Sequence, residues 1–349
     1  MEKLNSKYYQ IIDSSKPFIK TTLTWFSKIP IIKKTLRNWQ GPCAIFCLHR
    51  VLPEKQVDSN CFINKSLVLS EGLFQEMLKY FSKRYRIVSM SELADHLRNG
   101  STEFVLCITF DDGYRDNLKH ALPILEKFNC PATIYINTRF PEGETWMWWY
   151  EIWDYLLKTE RIEFIFEGEM IKWDCSNALK KKRCYSYLSS LIMNLTLEQQ
   201  KKLLNTITGS DERLSYTEIC LDWNEIRELD ANPLITIGAH THSHPVLALE
   251  KEFTALDEIR KSKIILEEKL GHPVLHFAYP FGSKKEAGSR EYLMANKCGF
   301  HTATTTLCYP ASHHQLHSLP RYGVEQNCTV NEIHTRILGL SNLLGKQLA

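Results

Sequence analysis

Short apolar runs of strand length alternate with helical patterns along most of this chain, and that alternation restricts it to one broad fold class. Residues 43–48, 105–110, 132–136, 234–239, 274–279 and 300–306 are brief, rich in β-branched and aromatic side chains, and bounded by turn residues. Between them lie helical patterns. Ser70 is placed to cap a helix over 70–84, where Leu73, Phe74, Met77, Leu78 and Phe81 recur at helical spacing. Further helices are predicted over 91–98, 117–128, 253–270 and 285–297, the first stopping at Asn99-Gly100 and the third at Gly271. Strands alternating with helices predict parallel β/α units. The expected fold is therefore α/β, a distorted (β/α) barrel of about seven parallel strands, with active residues at the C-terminal strand ends.

The chain of 349 residues has room for one barrel-sized domain. We read one barrel over residues 41–340, preceded by a separate segment at 1–40 and interrupted at about 140–222. The interruption opens on Trp146, Trp148, Trp149, Tyr150 and Trp153 and continues in charged, Lys- and Leu-rich segments, which predict a helical insertion. Its aromatic side chains either line a sugar-binding cleft or pack the insertion against the core.

Charge is unevenly placed. Residues 1–40 hold eight Lys/Arg against Glu2 and Asp13, a net +6, in a chain whose total is +3. Apolar residues such as Ile11, Phe18, Trp25, Phe26 and Ile32 are interleaved with those lysines. The segment reads as a basic amphipathic stretch that either rests on an anionic membrane face or packs on its own domain. No apolar stretch there reaches the roughly 20 residues of a membrane span. The small total charge argues against a nucleic-acid partner. Eleven cysteines, an odd number with no CxxC pair, argue for a reducing compartment and against a disulfide framework. With no signal-peptide pattern, the expected location is cytoplasmic, peripheral to the inner membrane face if the basic segment binds lipid.

Two strand ends carry the chemistry. The run at 105–110 ends on Asp111-Asp112-Gly113-Tyr114. Successive strand residues face opposite ways, so both aspartates serve one site only where the chain is already turning, as Gly113 permits. Alone, Asp-Asp-Gly is ordinary turn chemistry. About 130 residues later a second strand ends on His240-Thr241-His242-Ser243-His244-Pro245. Two histidines and a carboxylate are a standard set for catalytic zinc, which leaves positions open for water and substrate. Cobalt, nickel or iron suit the same ligands.

These residues give the chain a resemblance to the polysaccharide deacetylases, the NodB-homology family or carbohydrate esterase family four. The resemblance spans about residues 41–330. Its first motif is Thr109-Phe110-Asp111-Asp112-Gly113 and its second His240-Thr241-His242-Ser243-His244. A third is Phe277-Ala278-Tyr279-Pro280-Phe281-Gly282 and a later one Leu319-Pro320-Arg321. The resemblance implies that Asp112, His240 and His244 hold a divalent metal, most simply Zn2+. It implies Asp111 as the general base, the backbone N–H of Tyr114 as an oxyanion donor, and Tyr279, Pro280 and Phe281 at the substrate. His242 is not expected to be a ligand.

The sequence departs from the family pattern twice. Ala278 stands where an arginine usually orients the catalytic aspartate, and Arg321 is the candidate replacement. The usual C-terminal catalytic histidine has no good match: His334 lies in the right region without the right context. In some relatives a Tyr-His-x-Val segment near the N-terminus supplies that histidine. Leu48-His49-Arg50-Val51 resembles it, which makes His49 the candidate general acid, a surface turn residue being the alternative. His313, His314 and His317 form a further loop cluster with the capacity to bind metal adventitiously.

The reaction implied is metal-dependent removal of the acetyl group from an N-acetylated sugar. The expected partner is an N-acetylated glycan or a lipid-linked or nucleotide-linked glycan precursor. The alternatives are an O-acetyl esterase or another amidase on the same fold, or a non-catalytic glycan-binding module, which has no need of both aspartates.

Overall fold

The computed structural model describes residues 40–59, 67–144, 146–212 and 214–340, so the basic N-terminal segment lies outside the described residues. In chain order the strands are β1 (Cys43–Leu48), β2 (Arg50–Leu52), β3 (Val68–Ser70), β4 (Arg86–Ile87), β5 (Val105–Phe110) and β6 (Ala132–Ile136). They continue with β7 (Arg161–Phe166), β8 (Glu169–Asp174), β9 (Ile235–Ala239), β10 (His276–Ala278), β11 (Thr302–Thr304) and β12 (Tyr322–Gly323).

Seven strands run parallel in the order β11-β10-β9-β6-β5-β1-β12, and β4 adds to the start of β5. The sheet curls into a half-barrel. Leu319 bridges to Thr304 at one edge, and Tyr322 and Gly323 pair with Phe46 and Cys47 at the other. The short Leu-Pro-Arg stretch therefore spans the gap between the two sheet edges. Every residue of β1, β5 and β6 is buried, as befits parallel strands covered on both faces. Ala44, Phe46, Leu106 and Ile108 pack on the Glu71–Phe81 helix through Phe74, Met77, Leu78 and Phe81. Cys43, Ile45, Val105 and Cys107 occupy the opposite face with Val88, Met90 and Leu93.

Register decides what meets at the rim. β1 and β5 pair from Cys43↔Val105 to Leu48↔Phe110, so the next residues, His49 and Asp111, leave the sheet side by side. β6 and β9 pair up to Ile136↔Ala239, which brings His240 out beside them. Gly238 is needed for this approach: a Cβ there would stand 2.5 Å from the Tyr135 ring.

The insertion differs from the purely helical expectation. Between the aromatic Trp148–Lys158 helix and the Ala178–Ile192 helix stands an antiparallel hairpin, β7–β8, paired from Arg161↔Asp174 to Phe166↔Glu169. Its two-residue turn, Glu167-Gly168, has both φ angles positive (52° and 84°), matching the twist of the strands. Ile162 and Phe164 face inward while Arg161, Glu163 and Ile165 face out, a period of two that the lysine content of the region masks. The insertion has a core of its own, in which Trp153, Leu156, Cys184, Leu188 and Leu204 are buried together. The ten described cysteines are all free thiols. Among the described residues no helix is long and apolar enough to cross a membrane.

Candidate active site

β5 delivers two carboxylates to one place by turning early. Asp112 itself adopts a left-handed backbone (φ 73°), followed by Gly113 (φ 71°). A non-glycine residue there carries strain of about 1–3 kcal/mol, which the surrounding packing must hold. A Cβ on Gly113 would meet the tip of the Ile136 side chain at 2.9 Å, and the left-handed backbone there adds to the preference for glycine. The histidine loop is strained in the same way, with Thr241 (φ 63°) and His244 (φ 57°) also left-handed, as is Phe281 (φ 61°). Four of the six non-glycine residues with positive φ among the described residues thus lie in the segments that build this site.

The loop converges on Asp112. The Asp112 Oδ1 atom lies 3.4 Å from His240 Nε2 and 3.2 Å from His244 Nε2, with all three residues buried. His240 Nδ1 donates to the Ala278 carbonyl at 2.8 Å, fixing which nitrogen faces the aspartate. Ala278, where an arginine was expected, therefore serves the site through its backbone. Glu258, on the Glu252–Leu270 helix, was not singled out in the sequence. Its Oε2 accepts the backbone N–H groups of His242 (3.0 Å) and Ser243 (2.7 Å), holding the loop between the two histidines. His242 turns away from the cluster and bonds Thr138 Oγ1 at 2.8 Å.

Arg321 meets Asp111. Its Nη1 and Nη2 donate to Asp111 Oδ1 and Oδ2, each at 2.7 Å, while Nη1 also reaches Thr109 Oγ1 and Nε reaches the Thr305 carbonyl, both at 3.1 Å. Burial alone would raise the Asp111 pKa, but the guanidinium and His240 outweigh it and lower it. Burial likewise disfavours the Asp112 carboxylate, and contact with both imidazoles holds it well below the usual range.

The segment that follows the aspartates grips the backbone around His49. Asn117 Nδ2 donates to the His49 carbonyl at 2.8 Å, and Asp116 accepts from Val51 N (2.9 Å) and Arg50 Nε (2.8 Å). The Arg50 guanidinium stands 4.9 Å over the Tyr114 ring. Gly113 O and Arg115 N bond to Leu221 N and Ile219 O, so the intervening Tyr114 N–H turns the other way.

Part of this arrangement borders a cavity of about 410 Å³. Its barrel side holds His49, Asp111, Asp112, His240 and His244; its other side comes from the insertion, through Trp148, Trp149, Tyr185, Ser189 and Met193. Trp148 and Trp149 both belong to the insertion's core and line the cavity. Of the third motif, Phe281 lines the cavity, 4.8 Å from the His244 ring. Tyr279 and Pro280 do not, which corrects their expected place at the substrate. Both are buried, and Tyr279, just past the end of β10, packs into the core with its hydroxyl donating to the His317 carbonyl at 2.9 Å. His334 also lies elsewhere, between the hydroxyls of Tyr80 (2.8 Å) and Tyr85 (2.7 Å).

Among the described residues two groups of three donors lie within 4.8 Å of one another: Asp112, His240 and His244, and Cys47, His49 and Asp111. The His313, His314 and His317 cluster is not one of them; His317 Nε2 is bonded to the Phe300 carbonyl. The first group fits a divalent cation. With Nδ1 donating to the Ala278 carbonyl, a neutral His240 turns the lone pair of Nε2 towards a carboxylate oxygen. Buried acceptors that face each other need positive charge between them. A proton bridges one pair, whereas a divalent cation satisfies all three donors at once.

A curled parallel β/α sheet bearing a two-histidine, one-carboxylate cluster at its C-terminal rim defines a barrel protein with a candidate catalytic metal site. The chain belongs to the polysaccharide deacetylase family, whose sequence profile matches residues 98–303, and with it to the carbohydrate deacetylase hydrolases. That family is metal-dependent. The match includes Asp111, Asp112, His240 and His244; His49 and Arg321 lie outside it. No curated protein matches the chain in sequence. Among solved structures it is similar to the Streptococcus pyogenes deacetylase PplD in complex with acetate, at 17% identity and a TM-score of 0.55, covering 85% of this chain and 97% of that one. It is also similar to IcaB from Ammonifex degensii, at 19% identity and a TM-score of 0.53, covering 85% and 97% respectively.

Proposed function

We propose that this protein removes the acetyl group from an N-acetylated sugar by metal-dependent hydrolysis, releasing acetate and a free amine. The observation that carries the reading is the convergence of an arginine-clamped carboxylate, a separate carboxylate–dihistidine cluster and a histidine on one cavity walled by tryptophan. Asp112, His240 and His244 would hold the metal, with zinc the simplest fit to the donors. When bound, such an ion polarises an acyl carbonyl and lowers the pKa of water.

The remaining steps belong to the chain's own residues. Asp111, kept ionised by Arg321, accepts the proton of the attacking water through a carboxylate oxygen. The Tyr114 N–H donates to the oxygen that gains charge as the carbonyl is attacked. His49 donates a proton to the sugar nitrogen as the C–N bond breaks, because an amine leaves poorly as an anion. Trp148 and Trp149 exclude water and offer flat faces to a pyranose ring. The substrate class we favour is an N-acetylhexosamine in a glycan or in a lipid-linked precursor. The basic amphipathic composition of residues 1–40 supports a lipid-linked one at the cytoplasmic membrane face. Absence of liposome co-sedimentation would remove that support.

The test pairs metal content with acetate release from N-acetylglucosamine oligomers and lipid-linked precursors, with and without chelator. The expected result is about one metal per chain and chelator-sensitive release. A metal-loaded protein that releases acetate from none of them overturns the reading.

A further inference from the structure

We propose that Cys47, His49 and Asp111 form a second, soft-metal site, distinct from the Asp112 cluster, whose occupation arrests turnover. The site stands on geometry; the arrest rests on the proposed roles of Asp111 and His49. Register builds it. Cys47 pairs with Thr109 in the β1–β5 ladder, so His49 and Asp111 are each two residues further along the two strands. Their donor atoms, one sulfur, one nitrogen and one carboxylate oxygen, lie within 4.8 Å of one another. Cys47 Sγ is 3.6 Å from Asp111 Oδ2. The half-buried His49 ring borders the cavity and takes no hydrogen bond among the described residues, so a cation arriving through the cavity meets a free imidazole first.

Donor chemistry sets the selectivity. A thiolate with an imidazole favours zinc or cadmium over magnesium or manganese. Affinity here falls below that of the Asp112 cluster for three reasons. Arg321 already binds both oxygens of Asp111. The buried Cys47 thiol must release its proton to solvent. A cation on the adjacent Asp112 repels another. The second site therefore fills only after the first, and filling it occupies the proposed base and the proposed acid together. Turnover then rises with the first equivalent of zinc and falls with more. A carboxylate, an imidazole and a thiol placed in this way let the chain sense free soft metal through the residues that move protons.

The test uses the full chain, stripped by chelator and titrated with cadmium, with Cys61 and Cys308 replaced by serine throughout to limit other thiol binding. The ultraviolet thiolate-to-cadmium charge-transfer band is followed, in parallel with acetate release during a zinc titration. The expected result is a first equivalent bound without the band, a second bound with it, and acetate release falling as the second zinc binds. Cys47→Ala should lose the band and the inhibition, each measured against its own activity at one equivalent, while still binding the first equivalent. Cys47→Val serves the same purpose should alanine leave too large a void. An unchanged band and unchanged inhibition in either folded variant overturn the proposal. A band lost with Cys47 in a protein that never releases acetate would keep the site and overturn the deacetylase reading instead.

Discussion

Arg321 holds both carboxylate oxygens of Asp111 at 2.7 Å although 210 residues separate them. The guanidinium is buried, and its remaining hydrogen bonds go to Thr109 Oγ1 and the Thr305 carbonyl, so it is fixed on three sides. The geometry follows from the Leu319–Gly323 stretch crossing between the two edges of the curled sheet. An arginine there points inward at the end of β5 and clamps Asp111.

Lysine at this position keeps the charge but cannot span two oxygens. Arg321→Lys should lower kcat about 10- to 100-fold with metal content unchanged. Arg321→Met leaves Asp111 buried without its cation and should cost about 3–5 kcal/mol of stability, read by denaturant unfolding. Burial acts to raise the Asp111 pKa, and Arg321 first, then His240, bring it down. Arg321→Met removes the guanidinium charge, so the Asp111 pKa should rise and the acid limb of kcat/KM should move to higher pH. A limb that stays in place would mean that another group is the base.

The two adjacent aspartates should separate cleanly by metal content. Asp111→Asn should retain about one metal per chain and lose about 10²-fold or more in turnover. Asp112→Ala removes the carboxylate facing both histidines and should lose the metal itself. Equal metal loss in both variants contradicts the division of roles.

Much of this was legible in the sequence, and the gaps have physical causes. The strands and the two motif-bearing strand ends announce themselves because parallel strands buried on both faces must be continuous apolar runs, as β1, β5 and β6 are. The hairpin β7–β8 was hidden because its outward face carries Arg161, Glu163 and Lys172, which read as a charged helix. Tyr279 was misplaced because a motif fixes chain position but not which way a side chain points; just past the end of β10, this one packs into the core. Glu258 gave no local signal at all. Its partners are backbone N–H groups of a loop 15 residues away, which only the fold brings together.

That loop contact yields a further expectation. Glu258 touches no proposed metal ligand through its side chain, yet it fixes the peptide units between His240 and His244. Glu258→Ala should weaken metal binding about 10- to 100-fold, the usual effect of removing a group that orients ligands. Isothermal titration of the apo protein would read it. Unchanged affinity would mean that the strained backbone at Thr241 and His244 holds the loop unaided.

Asn117 and Asp116 offer a comparable test of His49. By holding the His49 carbonyl and the Val51 N–H, they fix the backbone that presents the imidazole. A misplaced general acid should matter most where the leaving group needs a proton. Asn117→Ala should therefore slow an N-acetyl substrate by about tenfold or more and spare an activated aryl acetate. Equal losses on both substrates would assign the clamp to general stability, with His49 no longer required as the acid.

His276 links the sheet to the acid stability of the protein. It is buried between Ser91 Oγ and Thr302 Oγ1, each at 2.8 Å from a ring nitrogen. Burial, then the charges of His301 and Arg98, push its pKa from 6.5 down to about 3. The unfolded chain therefore takes up a proton near pH 6.5 that the folded chain refuses until about pH 3. The stabilisation is complete above the upper value and drains away as pH falls towards the lower one. One proton of difference corresponds to a slope of about 1.4 kcal/mol per pH unit in that window. His276→Gln removes the titration, keeps a polar side chain between the two hydroxyls, and should flatten the unfolding free energy by about that slope between about pH 6 and 4. If the slope in this window is the same with and without the imidazole, the acid sensitivity belongs to other groups, and the buried Ser91–His276–Thr302 chain is neutral to pH.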